Sequence, residues 1–260
     1  MERLANKEER RNGLTRSALR LWGLLFAGLG IAGRAIIQNG LLHMGSISGD
    51  ELLEAMMSSS QTMVFATLAL VLQAVEACAI PIFAFLLVEG VQHTGNLGKY
   101  LLRVAGVALL SELPYNLAMS GSLWDTSSRN PVIGLAFAMG MLYLFRLYGG
   151  NTVGRRLLRV LITAAAVLWP MMLNVQDGAC CVILVAALWL CRNRPQYRTF
   201  IGCAVGALCS VLSPYYLATP MGFMAIHFYR GERGDENKLI NYLAYPALLI
   251  AAAVAVKFIG

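Results

Sequence analysis

Charge is what this sequence has least of. Only 13% of its 260 residues are Asp, Glu, Lys or Arg, against 58% hydrophobic, and the mean hydropathy is +0.62. Soluble domains carry about twice that charged share. An ordinary soluble enzyme and a disordered chain are therefore excluded. Histidine is also scarce, at three residues. No i, i+4 His pair and no Cys/His cluster is present, so no metal is expected. The six cysteines are Cys78, Cys180, Cys181, Cys191, Cys203 and Cys209. They lack C-x-x-C spacing and read as small buried hydrophobes, not as a disulfide framework. There is no P-loop, no dinucleotide-binding glycine motif and no G-x-S-x-G elbow. Internal repeats and Pro/Ser/Gly-rich linkers are absent too.

What remains is apolar runs. Against a bilayer requirement of about 20 residues, nine are predicted, near 19–38, 62–89, 100–119, 131–148, 157–173, 178–191, 199–213, 214–229 and 239–257. The first is followed by no small-residue cleavage site and is expected to stay as a span. Pro81 predicts a kink in the second, and Pro214 divides 199–229 into two. The expected architecture is all-α, a polytopic transmembrane bundle. Residues 1–18 form a charged arm and 19–260 a single membrane domain. The net charge of +7 does not imply a nucleic-acid partner, because topology explains it. Of the 21 Lys and Arg residues, 18 fall in 1–20, 90–103, 146–159, 192–198 and 230–238. The loop 39–61 holds only the acids Asp50, Glu51 and Glu54. The positive-inside rule then predicts a cytoplasmic amino terminus and a multi-pass protein of the cell membrane, with the lipid bilayer as its constant partner. Trp22, Trp124, Trp169 and Trp189 are expected to anchor span ends at the interface.

A charge in the bilayer core costs about 2.5–3.5 kcal/mol on insertion scales, so each needs a partner or a cavity. The intramembrane polar candidates are Arg34, Glu76 and Asn116, with Glu112, Glu89 and His227 beside them. Glu89 and His93 are four apart, on one face if the helix passes Gly90. A carboxylate there would orient the imidazole as a general base. The alternative is a helix C-terminus at Gly90 with His93 and Lys99 favoured by its dipole. Glu112 precedes Pro114, which is expected to open the helix locally so that Ser111, Tyr115 and Asn116 line a cavity. Otherwise Glu112 pairs with Arg34 or Arg103. Arg34 itself either holds an anion or neutralises Glu76 or Glu112. His43 and His227 read as passive helix-end residues.

The run Pro81–Gly90, with His93-Thr94, Lys99-Tyr100 and Arg103, and then Ser111-Glu112-Leu113-Pro114-Tyr115-Asn116-Leu117, resembles the signature of the TraX family. Members are similar to PIFAFLLVEG-x-x-HT, KY-x-LR and SE-[IL]-P-x-[DN]-L in this order. Near the carboxyl end, Tyr229-Arg230-Gly231-Glu232-Arg233-Gly234, Tyr242 and Tyr245-Pro246 resemble Y-N-G-x-R-G and Y-P-x-H-L. Asn130-Pro131-Val132 resembles a Q-N-V element. The match covers about 80–145 and 225–250.

The resemblance implies a transmembrane acyltransferase. The name-giving member is associated with acetylation of the amino terminus of conjugative pilin. Cytoplasmic acetyl-CoA is the implied acyl donor, and a peptide or envelope-glycan acceptor the implied partner. Carried onto this chain, the catalytic candidates are His93 as base, Glu89 as its orienting partner and Glu112 as a second acid. Arg103, Arg230 and Arg233 are candidates for the phosphates of the donor. Three departures stand out. The Asp-His pair that members carry in the first span is missing. Ala77 stands where members have an arginine. Ala247 stands where the late motif has histidine. Two readings without acyl transfer therefore stay open, a proton-coupled carrier or permease and a catalytically inactive membrane scaffold.

Overall fold

Two helices, apolar on every side, set the centre of the molecule. The computed structural model describes residues 13–43, 49–150, 152–232, 234 and 238–259. Among them there is helix but no strand, apart from isolated bridges joining Leu14 to Tyr229 and Arg129 to Val175. The helices are α1 (Arg16–Ile31, continuing as a π-helix over Ala32–Leu41), α2 (Gly49–Ser58), α3 (Ser60–Glu76), α4 (Ala79–His93), α5 (Leu97–Ser120), α6 (Val132–Leu147), α7 (Val153–Met172), α8 (Gly178–Leu190), α9 (Pro195–Leu208), α10 (Thr219–His227) and α11 (Lys238–Ile259). Three helical stretches are long and apolar enough to cross a membrane: Arg16–Leu41, Ser60–His93 and Ile240–Ile259. Val132–Leu147 and Gly178–Leu190 are shorter apolar helices. These mark a membrane protein.

Local sequence explains the boundaries. Thr15 Oγ1 accepts the Ala18 N–H at 3.2 Å, Ser59 Oγ the Thr62 N–H at 3.3 Å and Asn96 Oδ1 the Lys99 N–H at 2.9 Å. Each satisfies an orphan donor in the first turn of its helix. Gly121, at φ 68°, closes α5 in the left-handed region, where glycine carries no Cβ penalty. The break expected at Pro81 falls slightly earlier, at residues 77–78, so the proline occupies the first turn of α4. That is where a missing N–H is harmless. The break at Pro214 is present, but it opens into a 3₁₀ turn, Pro214–Ala218, and a nine-residue helix, α10. Pro114 does not open α5, which runs through it unbroken.

Helix α4 is buried from Ala79 to Val91 except at Phe83. It packs against α8, α10 and α1, while α8 also meets α6, α7 and α9. Ile82, Leu142, Leu184 and Phe223 are fully buried in the resulting core. A smaller core joins Ile31 and Ala35 of the first helix to Tyr115 of α5 and Leu249 of α11. The end of the amino-terminal arm is stitched to the segment before α11. Leu14 N–H donates to Phe228 O at 2.8 Å, Arg230 N–H to Leu14 O at 3.1 Å and Arg16 N–H to Glu232 O at 2.8 Å. Two expectations are corrected. The loop 39–61 contains a helix, α2. Trp189 is buried, with the Arg192 guanidinium 4.2 Å from its ring centroid, so it is no exposed anchor. Trp22, Trp124 and Trp169 are exposed.

Helix association in lipid rests on close packing, because tails solvate apolar side chains as well as neighbours do. Gly222 is one such contact. A Cβ there would fall on the Cys78 carbonyl oxygen and 2.6 Å from Pro81 Cγ. Gly222→Val is expected to destabilise the protein by about 1–3 kcal/mol through overpacking of α10 on α4. A lowered thermal midpoint of the detergent-purified protein checks this.

Candidate functional site

A cavity of about 400 Å³ runs along the seam between α1, α4 and α5. That lies within the range of about 300–1,000 Å³ usual for ligand sites. Helical periodicity builds its walls. From α1 come Arg16, Arg20, Leu24 and Ala27, spaced three and four apart on one face. From α5 come Tyr100, Arg103, Val104 and Val107 in the same spacing. Helix α4 adds an apolar stripe, with Phe83 and Leu87 on it, ending at His93 and Thr94.

The mouth is cationic. Arg16, Arg20 and Arg103 line it together with His93. Arg103 and His93 are exposed, so the cavity reaches the surface there. The imidazole Nδ1 lies 2.9 Å from the Glu89 backbone carbonyl. A carbonyl only accepts, so Nδ1 carries the hydrogen and donates it, leaving Nε2 for a ligand.

The far end is acidic. Glu76 and Asp177 line it, beside Tyr245 and Cys181. Glu76 is buried and ion-paired with Arg34 of the π-helical part of the first helix. A Cβ at Gly30 would fall on the Glu76 carboxylate, so this glycine clears the space in which the pair forms. Gln176 Nε2 donates to both acids, at 3.3 Å to Glu76 Oε1 and 3.1 Å to Asp177 Oδ2. Its amide oxygen is held by the Tyr115 hydroxyl at 2.7 Å. The Tyr216 hydroxyl donates to Asp177 Oδ1 at 2.8 Å. Asp177 occupies the left-handed region at φ 56°. It sits at the N-cap position of α8, yet its side chain accepts no capping hydrogen bond.

The residues singled out from sequence are thus dispersed. His93 and Arg103 meet at the mouth, and Glu76 lies at the floor. The expected Glu89–His93 side-chain pairing is not made. Helix α4 does continue through Gly90, but the Glu89 carboxylate turns away to the Tyr229 hydroxyl. Only its backbone carbonyl orients the imidazole. Glu112 is not among the cavity-lining residues. It accepts from Arg129 Nη1 at 3.3 Å and from the Asn130 backbone N–H at 3.3 Å, bracing the loop before α6. Asn116 is buried, with its amide 3.5 Å from the Leu123 carbonyl at the turn after α5. Arg230 forms a 3.0 Å ion pair with Glu232 and does not line the cavity. Arg233 lies outside the described residues. Sequence reading missed Arg16, Arg20, Asp177 and Tyr216. Among the described residues no cluster of His, Cys, Asp and Glu could hold a metal ion, and all six cysteines are free.

No curated protein and no solved structure matches this chain. The family model described as TraX protein matches residues 41–256. That stretch includes the cavity walls from α3 to α11, though not Arg16 and Arg20. Because the match spans most of the sequence, the chain belongs to the TraX family.

Proposed function

We propose that the protein is an integral membrane acyltransferase of the cell membrane, using cytoplasmic acetyl-CoA to acylate an amine or hydroxyl of a peptide or envelope acceptor. One observation carries the reading: a single cavity joins an arginine mouth, an apolar stem and a carboxylate floor. An acyl-CoA has the same order of parts. Its phosphates suit guanidinium forks, its pantetheine arm suits a narrow apolar stem, and its thioester reaches furthest in. The charge bias of the loops supports a cytoplasmic amino terminus and nine spans. The mouth would then open to the side that supplies the donor.

In this reading Arg16, Arg20 and Arg103 hold the phosphates, and His93 stands with them rather than at the chemistry. Helix α4, with 15 residues, rises about 22 Å, so His93 and the Glu76–Asp177 floor are at opposite ends of the cavity. Arg230 takes no part in this grip. The carrier reading draws on the same buried acids. Uptake into proteoliposomes driven by a pH gradient, without acetyl transfer, would replace the enzyme reading.

Two outcomes are expected from purified protein given radiolabelled acetyl-CoA and a small acceptor. Arg20→Ala or Arg103→Ala raises KM for acetyl-CoA at least about tenfold, the loss of one charge-assisted contact. Its kcat changes little. His93→Gln likewise acts on KM. A collapse of kcat with KM intact would return His93 to the role of base.

A further inference from the structure

We infer that Asp177 is the general base of the transfer and that bond making occurs at the cavity floor, an inference that rests on the acyltransferase reading. Among the described residues, charge at the floor is unbalanced. Two carboxylates line it, Glu76 and Asp177, and one guanidinium is paired into it, Arg34. Glu76 is committed to that pair. Asp177 has only neutral hydrogen-bond partners among the described residues, the Tyr216 hydroxyl and the Gln176 amide. A carboxylate oxygen accepts more than one hydrogen bond, so both oxygens keep a free lone pair.

Asp177 also forgoes the role its position offers. An aspartate opening a helix ordinarily caps it, at a gain of about 1 kcal/mol. Here the backbone takes the left-handed conformation, no cap bond forms, and the carboxylate faces the cavity instead. Gly, Asn and Asp are the residues that enter this conformation most readily, and of the three only Asp brings a proton acceptor to the cavity.

The step balances without any other reagent. As the acceptor nitrogen or oxygen attacks the thioester carbonyl carbon, its N–H or O–H proton passes to the Asp177 carboxylate. The tetrahedral intermediate collapses and the C–S bond breaks. The leaving thiolate takes the proton back from Asp177. The products are the acylated acceptor and free CoA thiol, with the carboxylate restored.

The test compares two small acceptors with acetyl-CoA at neutral pH. Ethanolamine must lose a proton before or as it attacks through either of its groups, whereas hydroxylamine, already neutral and strongly nucleophilic, attacks first and can shed its N–H proton from the adduct to water. Asp177→Asn keeps the backbone conformation and a hydrogen-bonding oxygen for Tyr216. It is expected to lower kcat with ethanolamine by about 10²–10⁴-fold, to leave KM for acetyl-CoA within about threefold, and to lose much less with hydroxylamine. Asp177→Gly, equally compatible with the backbone, is expected to show the same loss and to regain activity with added formate. Equal losses with both acceptors and no rescue by formate would make Asp177 structural and overturn the inference. So would ethanolamine turnover by either variant at the wild-type rate. If the wild-type protein acetylates neither acceptor nor the amino terminus of a short peptide, the acyltransferase reading fails first and this inference falls with it.

Discussion

A guanidinium and a carboxylate removed from water together govern how the first long helix meets the third. Either charge alone would be expensive at that depth. Together, Arg34 and Glu76 require α1 and α3 to approach at one register, and Gly30 leaves the room for it. The widening of α1 into a π-helix begins at Ala32, two residues before the arginine. Such turns shift the side chains beyond them around the axis, and they are frequent at functional sites. A chain of hydrogen bonds at the cavity floor starts from this pair. Gln176 bridges it to Asp177, Tyr115 fixes Gln176, and Tyr216 fixes Asp177. The links join the first helix, α3, α5, the turn before α8 and the 3₁₀ segment before α10. A network satisfied at nearly every member selects one packing among the many that apolar helices in lipid would allow.

The helical layout was legible because composition and hydropathy leave little else for such a chain to do. The site was legible only in part, and the misses have physical causes. Arg16, Arg20, Leu24 and Ala27 form a plain helical stripe, but reading residues 1–18 as a charged arm separated Arg16 from Arg20. The described end of that arm is stitched into the fold at Leu14 and Arg16. Asp177 lies between two apolar runs, where a lone acid before glycine looks like an ordinary helix start. Its left-handed backbone and its turn toward the cavity depend on tertiary partners. For Glu89 and His93 the i, i+4 spacing was right and the inferred contact was not. The backbone carbonyl one turn back, that of Glu89 itself, lies closer to the ring and takes the Nδ1–H, and a carbonyl oxygen has a second lone pair to offer beyond its helical bond. The carboxylate was drawn off by Tyr229, 140 residues away, which local spacing does not reveal.

The departures from the family pattern take on a meaning beside this geometry. The resemblance implies an Asp-His pair in the first span, an arginine at position 77 and a late histidine at position 247. This chain has Arg34 in the first span, Ala77 next to Glu76, and Ala247. Arg34 and Glu76 are paired, so a cation and an anion tie the first helix to α3 and hold the two in register. An arginine cannot serve as a base. On the acyltransferase proposal the proton acceptor then belongs to another element. The cavity offers one on the turn before α8.

Separation of charge along the cavity gives that placement its sense. Under the acyltransferase proposal, a phosphate-bearing donor would be drawn to the end lined by Arg16, Arg20 and Arg103, and low-dielectric walls would strengthen that field over a distance at which water would screen it. The carboxylates Glu76 and Asp177 at the other end would repel phosphate, so the neutral, thioester-bearing end would be favoured beside Asp177. Electrostatics would then select one donor orientation before any contact at the reacting atoms. A histidine among the arginines suits the anion-binding half of that gradient. Under the same proposal a base suits the other half, where among the described residues no guanidinium bonds to Asp177.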